Sequence, residues 1–194
     1  MRIIGIDPGT IITGVGIIEI KNGTVTALDI DTINLNKKFS IPDRLKVIYD
    51  ICTHKIEKFR PDEFAIETAF YHKNIQSTLK LGQARGAALI AAANSKLIVS
   101  EYSPREIKKS VTGSGASSKQ QVQFMIKSIL SLKENPKFID SSDALAVALC
   151  HHFSCGSFTK AFKVNGSAKN SNGKKIKSSW GDFVKQNPHK VIAK

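Results

Sequence analysis

Residues 2–18 read Arg-Ile-Ile-Gly-Ile-Asp-Pro-Gly-Thr-Ile-Ile-Thr-Gly-Val-Gly-Ile-Ile. An apolar run ends in Asp7, Pro8-Gly9 turns the chain, and a second apolar run returns from Thr13. Two β-branched runs separated by Pro-Gly predict strand–turn–strand. Proline at one position and glycine at the next favour a tight turn, by fixing one φ angle and freeing the other. Asp7 then stands at the last rung of a buried strand, where packing gives no reason for a carboxylate. A half-buried carboxylate needs a partner, because desolvating an unpaired charge costs too much. Either Asp7 accepts backbone N–H bonds from the turn, or it is a metal ligand. The second choice requires further carboxylates elsewhere in the chain.

The totals fit a globular protein. A chain of 194 residues predicts one domain, or one domain with a tail. It is long enough to bury a core without disulfide staples, and 41% apolar content argues against disorder. No apolar run approaches the ~18–20 residues of a membrane span. The N-terminus enters a strand directly, without the layout of a signal peptide. Cys52, Cys150 and Cys155 are an odd number without metal-site spacing, which fits a reduced cytoplasmic interior. Cys150 and Cys155 are also candidates for metal binding, but they lack a second pair and are expected as small buried apolar residues. The net charge of +13 is uneven. Residues 156–194 carry nine lysines and a single acid, Asp182, for +8; residues 1–155 carry 20 Lys and Arg against 15 acids, for +5. A basic domain with a more basic tail points to a polyanion, most often nucleic acid.

Working outward, residues 1–33 predict three strands in an antiparallel meander, with Lys21-Asn22-Gly23 as a hairpin turn. Apolar residues from Ile41 to Phe59 recur at helical spacing, and Arg60-Pro61-Asp62 ends that helix. Glu63-Phe64-Ala65-Ile66-Glu67 repeats the first layout: apolar run, acid, loop. A strand after a crossover helix usually lies parallel to its neighbour. Beside the first strand it would bring Glu67 to the same sheet edge as Asp7, although an ordinary surface Glu also suits a strand end.

A loop with Phe70, Tyr71, His72 and Lys73 leads into a long helix over residues 74–95. Leu79, Gly82, Gly86, Ala87 and Ile90 share one of its faces. Glycine inside a helix costs about 1 kcal/mol against alanine, which close approach of another backbone would explain. That backbone is either the sheet beneath or a second subunit. Leu97-Ile98-Val99 predicts a fifth strand, and Ser103-Pro104 opens a short helix to residue 112. A Gly/Ser loop, a helix from Lys119 to about Leu132 and a last helix from about Ile139 to Phe153 follow. Asp140 and Asp143, three residues apart, project from one face of its first turn. Acids there also have a purely structural use, capping the first N–H groups and complementing the helix dipole. From Gly156 the composition turns to Lys, Ser, Asn and Gly, that of a flexible tail, with Trp180-Gly-Asp-Phe-Val near its end.

Asp7, Glu67, Asp140 and Asp143 thus share one kind of position, and clustered like charges need compensation. Hard oxygen ligands without a histidine or cysteine set suit Mg²⁺ or Mn²⁺. Two such ions roughly 3.5–4 Å apart can activate a water and stabilise the leaving oxygen of a phosphodiester. That is a nuclease layout.

Over residues 1 to about 155 the chain resembles the RuvC family of bacterial Holliday-junction resolvases, within the ribonuclease H-like superfamily. The resemblance rests on Ile4-Gly-Ile-Asp-Pro-Gly-Thr10, Thr13-Gly14, Arg44-Leu45-Lys46, Ala65-Ile66-Glu67 and Phe70 with Lys73-Asn74. It continues through Leu79-Lys-Leu-Gly-Gln-Ala-Arg-Gly86, Lys108, Gly113 with Gly115, Lys119 and Asp140-x-x-Asp143-Ala-Leu-Ala146. It implies an α/β, ribonuclease H-like five-stranded mixed sheet, three antiparallel strands then two parallel, flanked by helices. It also implies a homodimer making two symmetric nicks in a four-way DNA junction, in recombination and repair, leaving 5′-phosphate and 3′-hydroxyl ends. Asp7, Glu67, Asp140 and Asp143 match the metal-binding acids, for two Mg²⁺ ions per subunit with Mn²⁺ as substitute. Many relatives carry His where this chain has Asp140, which makes the site here more anionic. Phe70 matches an aromatic that stacks on a junction base, a contact worth about 1–3 kcal/mol. Lys108 and Lys119 match lysines placed near the reacting phosphate; Lys73 and Arg85, with His72, are further DNA-contact candidates. Coupling to the RuvA–RuvB branch-migration complex follows from the same relation. The expected boundaries are a nuclease domain over 1–155 and a basic tail over 156–194 that adds nonspecific phosphate contacts.

Two competing functions remain at this point. The turn after Asp7 also resembles the phosphate hairpin of actin-like and sugar-kinase ATPases, which need a second lobe and a second phosphate loop that this chain lacks. A non-catalytic junction binder would keep the lysines and Phe70 but has no use for four acids.

Overall fold

In the computed structural model the described residues are 1–36, 38–68, 74–132 and 139–155, with Ile139 and Asp140 described in backbone only. Phe70, His72, Lys73 and the tail over 156–194 lie outside them. The first three strands, β1 (Arg2–Asp7), β2 (Ile12–Lys21) and β3 (Thr24–Asn34), form the expected meander. Asn22 and Gly23 both take positive φ, 52° and 77°, as a two-residue hairpin turn needs. Helix α1 (Ile41–Phe59) is capped by Ser40, whose side chain accepts from the Asp43 N–H, and is closed by Arg60 in the left-handed region. It carries the chain over the sheet to β4 (Glu63–Glu67), which pairs in parallel with β1; β5 (Ile98–Tyr102) then pairs in parallel with β4. The strand order is β3-β2-β1-β4-β5, a five-stranded mixed sheet with antiparallel pairs on one side and parallel pairs on the other. Helices α2 (Ile75–Asn94), α3 (Pro104–Thr112), α4 (Lys119–Ile129) and α5 (Ile139–Ser154) complete the order.

Alternation along the strands divides the core into two layers. Ile4, Ile6, Phe64 and Ile66 pack with Ile48 and Cys52 of α1 and Ala84 and Ala88 of α2. Ile3, Ile18 and Ala65 face the other way, against Ile107, Val122, Ile126, Leu145 and Leu149 of α3, α4 and α5. Burying each such Ile or Leu contributes about 1.5–3 kcal/mol, so both layers are needed. A further tie joins α1 to β3: the Lys55 ammonium, almost buried, lies 2.5 Å from Asp29 and 2.7 Å from Asp31.

Three expectations change here. Gly9 does not take a positive φ; what the turn needs is its missing side chain, since a Cβ there would lie 1.8 Å from the Ile12 carbonyl oxygen. The hydroxyl of buried Thr13 donates to the Gly9 carbonyl and accepts from the Gly9 N–H, and so holds that turn shut. Gly82 and Gly86 do not face the sheet: a Cβ at either would meet nothing within 4 Å, and α2 packs inward through Ala84, Ala88, Ala91 and Ala92. Cys150 is buried as expected but Cys155 is exposed; Cys52 is buried as well.

Candidate active site

Because β1 and β4 are parallel neighbours, their carboxyl ends coincide, and Asp7 and Glu67 are the last residues of the two strands. The register pairs Ile3 with Glu63 and Gly5 with Ala65, so period-2 alternation puts Asp7 and Glu67 on one face. That face carries α5. The helix lies directly on paired glycines: Gly5 stands opposite Gly16 across the β1–β2 ladder. A Cβ on Gly5 would lie 2.3 Å from the Ala144 carbonyl oxygen, and one on Gly16 2.7 Å from the Leu145 nitrogen. With no side chains beneath it, the first turn of α5 sinks onto the sheet and brings Asp143 to the Asp7–Glu67 edge. The only sequence sign of this bed was that two glycines alternate within strands otherwise rich in Ile and Val.

The acids meet there. Glu67 shares a hydrogen bond with Asp7. Burial and the nearby Asp143 carboxylate push the Glu67 carboxyl up to about 7, against the opposing pull of Lys119, the Asp7 bond and Lys108. Lys119, the first residue of α4 after the Ser118 cap, sets its Nζ 2.7 Å from Asp143 Oδ2. Glu67, Asp143, Lys108 and Lys119 line a cleft of about 230 Å³ whose floor includes Ile107 and Val122. Asp140 lies in the first turn of α5, one turn before Asp143, with its side chain outside the described residues. Arg85 stands apart from the cluster and is ion-paired with Glu101 at 2.5 Å.

Burial of Glu67, and after it the negative charge of Asp143, outweigh the two ammonium groups and favour a proton on that carboxyl near neutral pH. An all-oxygen donor set of this kind fits a hard divalent cation. The profile for crossover junction endodeoxyribonuclease RuvC matches residues 3–151. The chain belongs to the RuvC family.

RuvC relatives match over nearly the full chain. The enzyme of Chloroherpeton thalassium is 43% identical over 192 residues, 99% of this chain and 100% of the relative. That of Cytophaga hutchinsonii is 42% identical over 189 residues, 97% and 87% of the two chains. Among solved structures, Thermus thermophilus RuvC in complex with a Holliday junction substrate superimposes with a TM-score of 0.76 at 31% identity, covering 80% of this chain and 94% of that one. The yeast mitochondrial Holliday junction resolvase, 16% identical with a TM-score of 0.56 over 82% of this chain and 85% of its own, shares the fold. RuvC membership makes the protein a nuclease, a hydrolase of the endodeoxyribonuclease class, and accounts for the ribonuclease H-like sheet.

Proposed function

We propose that this chain resolves four-way DNA junctions by paired symmetric nicks in opposite strands, through two-metal-ion hydrolysis that leaves 5′-phosphate and 3′-hydroxyl ends. The observation that carries the proposal is the meeting of Asp7, Glu67 and Asp143 at one sheet edge, opposed by Lys108 and Lys119. Asp7, Glu67 and Asp143, with Asp140 one turn away, would hold two Mg²⁺ ions, or Mn²⁺ in their place. Bound there, the ions would supply Lewis acidity toward the scissile phosphate and lower the pKa of an attacking water. The protein's own share is to bind and orient. Glu67 must give up its proton to act as a ligand, and the Asp7 hydrogen bond places the two carboxylates side by side for that purpose. Lys119, held by Asp143, and Lys108 across the cleft offer cationic contacts to phosphate oxygens and to charge that develops on them. Ile107 and Val122 keep the floor apolar, which strengthens each of these interactions.

Two symmetric nicks call for two sites, and an approximately two-fold junction fits a two-fold homodimer. The outward face of α2 supports that arrangement: Leu79 and Ile90 are more than half exposed, with the flat Gly82–Gly86 strip between them. Phe70 and Lys73 are proposed to stack on and contact the junction, and the 156–194 tail to add nonspecific phosphate contacts beside a 1–155 nuclease domain. A cytoplasmic location and coupling to the RuvA–RuvB complex fit the same reading; among the described residues no helix is long and apolar enough to cross a membrane.

The test is direct. The full chain is incubated with Mg²⁺ and a synthetic four-way junction, a plain duplex of the same sequence, or ATP. Paired nicks confined to the junction, lost with Asp7→Asn, are expected; ATP turnover, or junction binding without cleavage, would refute the proposal.

A further inference from the structure

Strand β4 reads Glu-Phe-Ala-Ile-Glu, and both glutamates lie on the face covered by α5. Glu67 belongs to the acidic cleft; Glu63 sits at the other end of the strand. It meets a different set of groups there. The His151 ring, only 2% exposed, places Nε2 2.5 Å from Glu63 Oε2. Cys155 Sγ lies 3.7 Å from either ring nitrogen of His151. The three potential ligand atoms, one each from Glu63, His151 and Cys155, all fall within 4.8 Å of one another.

We propose that Glu63, His151 and Cys155 form a second metal site, for a borderline-soft divalent cation such as Zn²⁺, at the end of the β4–α5 contact opposite the acidic cleft. The donor types decide the class of ion. A thiolate, an imidazole and a carboxylate suit zinc, whereas Mg²⁺ takes oxygen ligands. The spacing suits it as well. His151 and Cys155 are i and i+4 at the end of α5, and the Cys155 N–H still donates to the His151 carbonyl at 3.0 Å, so both side chains leave one helix face. Zinc bonds of about 2.0–2.3 Å in tetrahedral geometry separate neighbouring ligand atoms by roughly 3.3–3.6 Å. The sulfur–nitrogen distance, 3.7 Å, lies just above that range. The sulfur must close in slightly and the Glu63 oxygen must draw back from the ring, and the glutamate side chain, 27% exposed, has room to do so.

An outer partner is in place. Tyr102 Oη lies 2.7 Å from His151 Nδ1. A hydroxyl that accepts from Nδ1–H leaves the Nε2 lone pair for a metal, and such outer hydrogen bonds commonly orient histidine ligands. With three protein ligands the fourth position falls to water. The ion would tie the start of β4 to the end of α5, directly before the basic 156–194 segment. None of the three residues belongs to the acidic cleft, so this inference does not depend on the proposed reaction.

Cobalt(II) gives a readout that requires sulfur. The full-length protein, reduced and stripped of metal, is titrated with Co²⁺ in saturating Mg²⁺, which occupies the acidic cluster. One equivalent producing a thiolate-to-cobalt charge-transfer band, removed by one equivalent of Zn²⁺, is expected. Cys155→Ser should abolish the band and weaken zinc affinity by 10–100-fold or more. It should leave Mg²⁺-dependent junction nicking within about twofold of wild type, since no step of the reaction passes through it. Glu63→Gln, which preserves volume, should keep the band and shift the Zn²⁺ midpoint by at least about tenfold. Zinc should also raise Tm by roughly 2–8 °C in wild type and not in Cys155→Ser. A wild-type protein without the band, or a band that survives Cys155→Ser, would overturn the site.

Discussion

Glu67 and Glu63 sit on the same strand and the same face, four residues apart, under the same helix, yet they end in opposite chemistries. At the Glu67 end the neighbours are Asp7, Asp143, Lys108 and Lys119, an all-oxygen donor set partly offset by ammonium groups. At the Glu63 end they are His151, Cys155 and Tyr102. A carboxylate carries little information alone; its partners decide whether it serves a hard ion or a softer one. One partner at each end, Asp143 and His151, is carried by the same helix α5.

The sharpest way to separate the two ends is to neutralise each glutamate in turn. Glu67→Gln should lower junction nicking by at least about a thousandfold, a loss of roughly 4 kcal/mol in transition-state stabilisation. Glu63→Gln should leave it within about twofold. Equal losses in gel-based cleavage assays would mean that the ends are not independent.

The comparison also requires that one helix serve both ends. Gly16→Val inserts a branched side chain where the Leu145 backbone already sits, so α5 must lift. A destabilisation of about 2–3 kcal/mol in urea unfolding is expected, as for other overpacked core sites. Nicking and the thiolate–cobalt signal should fall together. If only one falls, the helix does not act as a common rail. Lys55→Met provides the contrast, since it disturbs an ion cluster far from both ends. Leaving Asp29 and Asp31 without their cation should cost about 2 kcal/mol, below the value for a fully buried pair because Asp31 is nearly half exposed. Both functional readouts should survive it.

Acidity should act at the Glu67 end. Its carboxyl is held at about 7, above the usual 4.5, so the native state binds more protons than the unfolded chain between those values. Without divalent ions, stability should therefore fall as pH rises from about 4.5 to about 7, by linkage. An incoming ion must displace that proton below pH 7, so Mg²⁺ affinity should climb about fivefold from pH 6 to 7, about tenfold by pH 8, and level off above that. A flat midpoint in Mg²⁺ titrations of nicking across that range would remove the shared-proton picture. The smallest effect expected is from trimming residues 159–194: the slope of log affinity against log salt should flatten by about 0.9 for each phosphate that the tail no longer neutralises.

Much of the molecule was legible in the order of its residues. Local patterns are set by local sterics, so the meander, the Asn22-Gly23 hairpin, the helix over 41–59, the Ser103 cap and the helix opening at Lys119 follow from nearby residue types alone. The parallel placement of β4 followed from its crossover helix, and with it the meeting of Asp7 and Glu67. Gly9 shows where such reasoning stops: a turn was evident, but that its glycine answers to the Ile12 carbonyl and not to φ depends on a contact across the turn. The Gly5–Gly16 bed, the Lys119–Asp143 pair and the outward face of Gly82 and Gly86 belong to the tertiary structure. So does the Glu63–His151–Cys155 cluster, whose first two members are 88 residues apart. Residues that distant carry no periodicity or spacing to reveal them. Only the docking of α5 on the sheet brings them within bonding range.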